Sequence, residues 1–190
     1  MTGGLASTAL LLQIARCPNL GLGACTKIAA VQDGFAERQV PEPWNGDLAR
    51  APILFVSSNP SISEVEDYPT DRWSDDAIVD FFEHRYGRWM AEGTKGLRKD
   101  GTRGKANPFL SSSKKTAERL LERPPIPGID YAVTEVMHCK SKKEQGVPAA
   151  LGECTRRHLG RILHAAGAKV VVVLGGRANE AVGARPIRVH

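Results

Sequence analysis

Asn59 sits where a side chain has scope to do chemistry. In "ILFVSSNPS", residues 53–61, four apolar residues suited to a buried strand run straight into a tight polar turn. The strand thus delivers an asparagine, locked by Pro60, to the rim of a sheet. A plain turn and a catalytic loop share that signature. Ser57, Ser58 and Ser61 have no evident His/Asp partners, which argues against a serine hydrolase. The four cysteines form a second candidate set. Cys17 and Cys25 are spaced C-x7-C, and Cys139 and Cys154 are spaced C-x14-C, more than a hundred residues further on. Four thiolates converging from two segments suit a [4Fe–4S] cluster or a tetrahedral zinc. Four unrelated small core residues would have the same spacing.

The elements that must position these residues alternate strand with helix. After a helical start, "VPEPWNGDLARAP" reads as an extended approach to the first strand. "DDAIVDFFEHRYGRWM" has helical apolar spacing, 93–107 is a glycine-rich basic loop expected to be mobile, and "SSSKKTAERLLE" is a helix with serine at its start. "IDYAVTEVM" is a second buried strand. "ECTRRHLGRILHAA" is an amphipathic helix opened by Cys154, and "AKVVVVLGG" is a further strand turning into a helix. This order predicts one domain over residues 1–190, a three-layer α/β/α fold with a mainly parallel central sheet. In such sheets ligands gather at the carboxyl ends of the strands, where Asn59, Glu135 to Cys139, and Gly175-Gly176 all fall.

Composition narrows the class. A content of 42% hydrophobic and 25% charged residues is that of a soluble globular protein, and no apolar run is long enough to span a membrane. "ALLLQIA" lacks the basic start of a signal peptide, so a cytoplasmic monomer is expected. The net charge of +5 is concentrated in residues 85–105 and in "KSKK" at 140–143, with Arg156 and Arg157 beyond. Two basic segments beside candidate sites point to a nucleic acid, with Lys140, Lys142 and Lys143 as contacts.

Residues 132–183, "AVTEVMHCKSKKEQGVPAALGECTRRHLGRILHAAGAKVVVVLGGRANEAVG", resemble the uracil-DNA glycosylase superfamily, best its iron–sulfur-bearing branches. Those families carry a strand ending in T-N-x-V-x-C, a basic loop, a second cysteine, a long helix and then "PKVIVxLGxxAAxALLG". "ILFVSSNPS" falls where the superfamily has its first active-site motif, and "NPFLSSSKKTAERLL" resembles the segment supplying its aromatic platform. The resemblance implies a monofunctional glycosylase that hydrolyses the N-glycosidic bond of a flipped-out uracil or other deaminated base in DNA. It implies that Asn59 orients the attacking water, and that Phe109 stacks on the base. Ser58, Pro60 and Ser61 would line the pocket beside Asn59, and Cys17, Cys25, Cys139 and Cys154 would hold a [4Fe–4S] cluster, with structural zinc as the alternative.

Two departures bear on this. Glu135 replaces the asparagine that reads uracil. An ionised carboxylate only accepts hydrogen bonds, which predicts a shift toward a base offering two donors; a structural salt bridge is the other reading. The chain also stops at "GARPIRVH", before the superfamily's His-Pro-Ser motif comes into view. Either the chain is truncated or it lacks that catalytic half, and on the second reading it is a weak or inactive DNA-binding relative that keeps fold and cluster. His190 faintly resembles a histidine of one branch, and His138, beside Cys139, is expected to support the cluster or touch DNA.

Overall fold

In each of the two main strands, alternate side chains face opposite ways, and both faces are apolar. In the computed structural model, which describes residues 3–183 and side chains from residue 7 onward, this produces a sheet covered on both sides. The elements in chain order are α1 (Gly3–Ala15), α2 (Thr26–Ala29), β1 (Trp44–Asn45), β2 (Ile53–Ser57), α3 (Asp75–Arg88), β3 (Met90–Ala91), β4 (Lys95–Gly96), α4 (Pro108–Leu121), β5 (Tyr131–Glu135), α5 (Val147–Cys154), α6 (Gly160–Ala165), β6 (Val170–Val173) and α7 (Gly176–Gly183). Four strands form the central sheet in the order β1-β5-β2-β6. The last three are parallel, and β1 is antiparallel to β5. The fold is therefore α/β with a mostly parallel sheet. The His190 expectation lies outside the described residues.

Leu54 and Val56 of β2 and Ala132 of β5 point into one core with Leu11 and Ile14 of α1, Ile78, Phe81 and Phe82 of α3, and Ile162 of α6. Ile53, Phe55, Tyr131 and Val133 point the other way, against Leu110 and Ala117 of α4. Parallel pairing sets Ser57 abreast of Glu135, so the two strands end together. The ladder continues beyond them. The N–H groups of Val136 and Met137 donate to the carbonyls of Ser57 and Ser58 at 2.9 and 3.0 Å, and that of Ser141 to Pro60 at 3.0 Å. The turn after β2 is thereby tied to the segment after β5.

Four local expectations are corrected. The approach at 40–52 contains the edge strand β1. The basic stretch 93–107 is hydrogen-bonded backbone, with Leu97 N donating to Trp89 O at 2.8 Å, Gly104 N to Gly96 O at 2.9 Å and Asn107 N to Thr94 O at 2.8 Å. Helix α4 starts at Pro108, not at the serines, because the Asn107 side chain caps it, accepting from Phe109 N at 2.9 Å and Leu110 N at 3.3 Å. Asn followed by Pro is a cap and first-turn pair. Cys154 closes α5 instead of opening a helix: Pro148, tolerated in a first turn, marks the earlier start. The helical path then runs through a π-type turn, Thr155–Leu159, into α6.

Asn107→Ala removes the cap that sets the first turn of α4. Denaturant unfolding is expected to show a loss of about 1 kcal/mol.

Candidate active site

The carboxyl ends of β2 and β5 open into a cleft of about 910 Å³, at the upper end of the range usual for small-ligand sites. Asn59, Phe109 and Glu135 all line it, as do Ser58, Pro60 and Ser61. The Asn59 amide nitrogen donates to the Pro60 carbonyl and the Ser141 hydroxyl, both at 3.0 Å. A backbone carbonyl can only accept, so this contact fixes the amide's orientation and leaves its oxygen uncommitted among the described residues. Phe109 is half-buried on the first turn of α4. The Ser58 hydroxyl donates to Glu144 at 2.7 Å, and Arg177 of α7 donates to the other oxygen of that carboxylate at 2.8 Å. Pro60 is buried, and Ser61 is exposed.

Beneath the cleft is a network of buried charge. Arg85 of α3 pairs with Glu42 and Glu66, both at 2.8 Å, and also donates to Asn45 at 2.8 Å. Lys140 reaches Glu66 at 3.2 Å, with its ammonium 3.3 Å from the centre of the Tyr68 ring. Burial alone would raise the pKa of Glu66, but Lys140 and Arg85 together hold it below the usual carboxylate range. Glu135 behaves in the opposite way. It is 3% exposed, and its Oε2 has no partner. Burial first, and then the charge of Glu42, push its pKa well up against the weaker pull of Arg85 and Lys140.

This geometry corrects two sequence assignments. Lys140 is only 1% exposed, so it belongs to the cleft floor and not to a DNA-facing surface. Arg85 likewise leaves the basic surface segment. Its burial had a visible signal, since it stands at i+7 from Ile78 on the stripe made by Phe81 and Phe82. Glu42, between two prolines, carried no such signal. The remaining basic residues converge: Arg98 and Lys105 from one segment and Lys143 from the other are exposed and line the same cleft. Lys142 is exposed as well.

The four cysteines are all free thiols and line one narrow cavity on the other side of the segment leaving β5. Cys25, Cys139 and Cys154 are buried together with Ile28, Met137 and Val147. Gly146, at φ +80°, lets this loop lie against α2, since a Cβ there would fall 2.6 Å from the backbone of Ile28. Burial, reinforced by the neighbouring thiols, raises the pKa of Cys139 and pushes that of Cys154 up to about 12. Among the described residues no three Cys, His, Asp or Glu side chains stand as a set that could hold a metal ion. His158 reaches the Cys17 sulfur at 3.8 Å and stacks edge-on against His138. His138 is 1% exposed, its Nδ1 lies 2.8 Å from the Glu42 carbonyl, and burial lowers its pKa to about 4. It is therefore a neutral interior group, out of reach of DNA.

Comparison with protein-family models and with curated proteins finds no match to the chain.

Arg85→Met leaves two buried carboxylates short of a cation and is expected to cost about 3–5 kcal/mol in denaturant unfolding at neutral pH. Because the folded pKa of Glu66 is depressed, its contribution is complete above the ordinary value of 4.5 and is lost as pH falls through the lower folded value. The gap between Arg85→Met and wild type is expected to narrow across that acid window.

Proposed function

We propose that this chain is a monofunctional DNA glycosylase of the uracil-DNA glycosylase type, acting on a flipped-out uracil or other deaminated base. One observation carries the reading: an uncommitted amide oxygen at Asn59 and an aromatic ring at Phe109 line the same cleft, reached from separate elements. Phe109 supplies a face on which an extruded base stacks. In hydrolysis the bond from C1′ to the base nitrogen breaks, and its electron pair leaves with the base. The sugar becomes cationic, a water oriented by the Asn59 oxygen adds to C1′, and its proton is released. Arg98, Lys105 and Lys143 are suited to the flanking phosphates.

The thiols support a cofactor reading for the same protein. Four free sulfurs from two distant segments around one cavity are the donor set of a [4Fe–4S] cluster. A cluster spreads its four ligands over separate irons, so its sulfurs stand wider apart than those around one zinc. Cys17, Cys25, Cys139 and Cys154 would hold it, each as a thiolate, so binding releases protons. The group supplies structure, and the hydrolysis needs none of its chemistry.

Single-turnover release of uracil from a duplex oligonucleotide is the test. Asn59→Ala is expected to slow release about 100-fold, and Phe109→Ala to weaken binding by about 1–3 kcal/mol. Binding without release of any base by wild type would identify a DNA-binding protein and overturn the enzyme reading. Anaerobically purified protein is expected to be brown with bound iron, and Cys139→Ala to lose the visible absorption; colourless protein carrying zinc would replace the cluster.

A further inference from the structure

The cleft floor holds an imbalance of charge that the pairing geometry assigns to one residue. Two buried cations, Arg85 and Lys140, meet three carboxyl groups, Glu42, Glu66 and Glu135. Arg85 is shared between Glu42 and Glu66, and Lys140 is taken by Glu66. Glu135 has no ion pair among the described residues, and its Oε2 is buried without a partner although the side chain lines the cleft. The groups facing it are Glu42 from the segment before β1, Arg85 and Tyr86 from α3, and Lys140 from the segment after β5. An unpaired charge in such a place is costly, and the group sheds it by taking up a proton.

We infer that Glu135 presents a neutral carboxyl to the cleft, one hydroxyl donor beside one carbonyl acceptor, and so reads the edge of a base that carries C=O next to N–H. This rests on the glycosylase reading above. Uracil offers that edge at O4 and N3–H, and hypoxanthine at O6 and N1–H. Cytosine and adenine present the reverse, an amino donor beside a ring-nitrogen acceptor. Because the proton can sit on either oxygen, the neutral carboxyl matches the deaminated edge, which an ionised one cannot, without itself excluding the parent base. Thymine carries the same edge as uracil, and Glu135 does not separate the two. This revises the expectation from sequence, in which an ionised carboxylate favoured a base with two donors. Burial of Glu135 agrees with the neutral form, since it pushes the pKa well above the usual 4.5.

The test compares wild type, Glu135→Gln and Glu135→Leu on duplex oligonucleotides bearing uracil or hypoxanthine, from weakly acid to alkaline pH. Wild type is expected to release uracil and hypoxanthine with a rate that falls as pH rises through the raised pKa of Glu135. Glutamine keeps a donor and an acceptor but cannot titrate. Glu135→Gln is expected to keep uracil as its released base without the alkaline fall, and Glu135→Leu to lose about 100-fold, the effect of leaving one buried polar group unpaired. Loss of uracil release in Glu135→Gln equal to that in Glu135→Leu would overturn the inference while leaving the glycosylase reading intact. Wild type releasing no base at all would overturn both. Thermal unfolding gives a readout free of activity. A carboxyl with a raised folded pKa is destabilising once the unfolded state ionises, so the advantage of Glu135→Gln over wild type is expected to grow with pH above about 4.5. A constant or shrinking advantage would show Glu135 to be ionised and would sink the assignment.

Discussion

The buried ion network under the cleft is the constraint on which the rest of the site depends. Glu42 precedes β1, Glu66 follows the turn after β2, Arg85 lies on α3, and Lys140 follows β5. None of these groups can be buried alone at tolerable cost, so each segment is held to the others by charge that has no alternative partner. The segments so joined are the ones whose backbones form the cleft. Ion pairs that tie four segments together restrain them, and restraint is what a site needs if an amide and an aromatic ring are to keep their spacing. The network also leaves one carboxyl over, and that surplus gives the floor its hydrogen-bonding character.

The stretch from Glu135 to Ser141 links this floor to the thiols. Glu135, Lys140 and Ser141 line the cleft, while Met137, His138 and Cys139 line the cavity shared with Cys17, Cys25 and Cys154. Seven residues thus form a wall with the cleft on one side and four sulfurs on the other. This wall also braces the cleft, because Ser141 bonds the Asn59 side chain and the Pro60 carbonyl.

Much of the architecture was legible because it follows from periodicity. The apolar runs in 53–56 and 131–134 specify strands, and the stripe Ile78, Phe81 and Phe82 specifies a helix packed on the sheet. The errors in element boundaries were local and chemical: Asn107 outcompeted the serines as a cap because Pro108 preorganises the first turn, and Pro148 marks a helix that starts before Cys154 instead of at it. Within the candidate site, Asn59 and Glu135 could be placed at the strand ends from the alternation of elements alone. That Phe109 shares their cleft depends on how α4 packs, which no local pattern encodes.

The amino-acid order by itself determined where strands end, which side chains sit at those ends, and that two cysteine pairs are far apart in the chain. Tertiary structure decided which charges are buried. "KSKK" reads as four uniform polar residues, yet Lys140 is sealed against Tyr68 while Lys142 and Lys143 meet solvent. Glu135 has the same covalent structure as any surface glutamate; its protonation follows from the number of cations that the fold brings within reach. The physical reason is common to both. Side-chain periodicity is a short-range property of the backbone, whereas the free energy of a charge depends on the solvent and partners around it, and those are set only when distant segments meet.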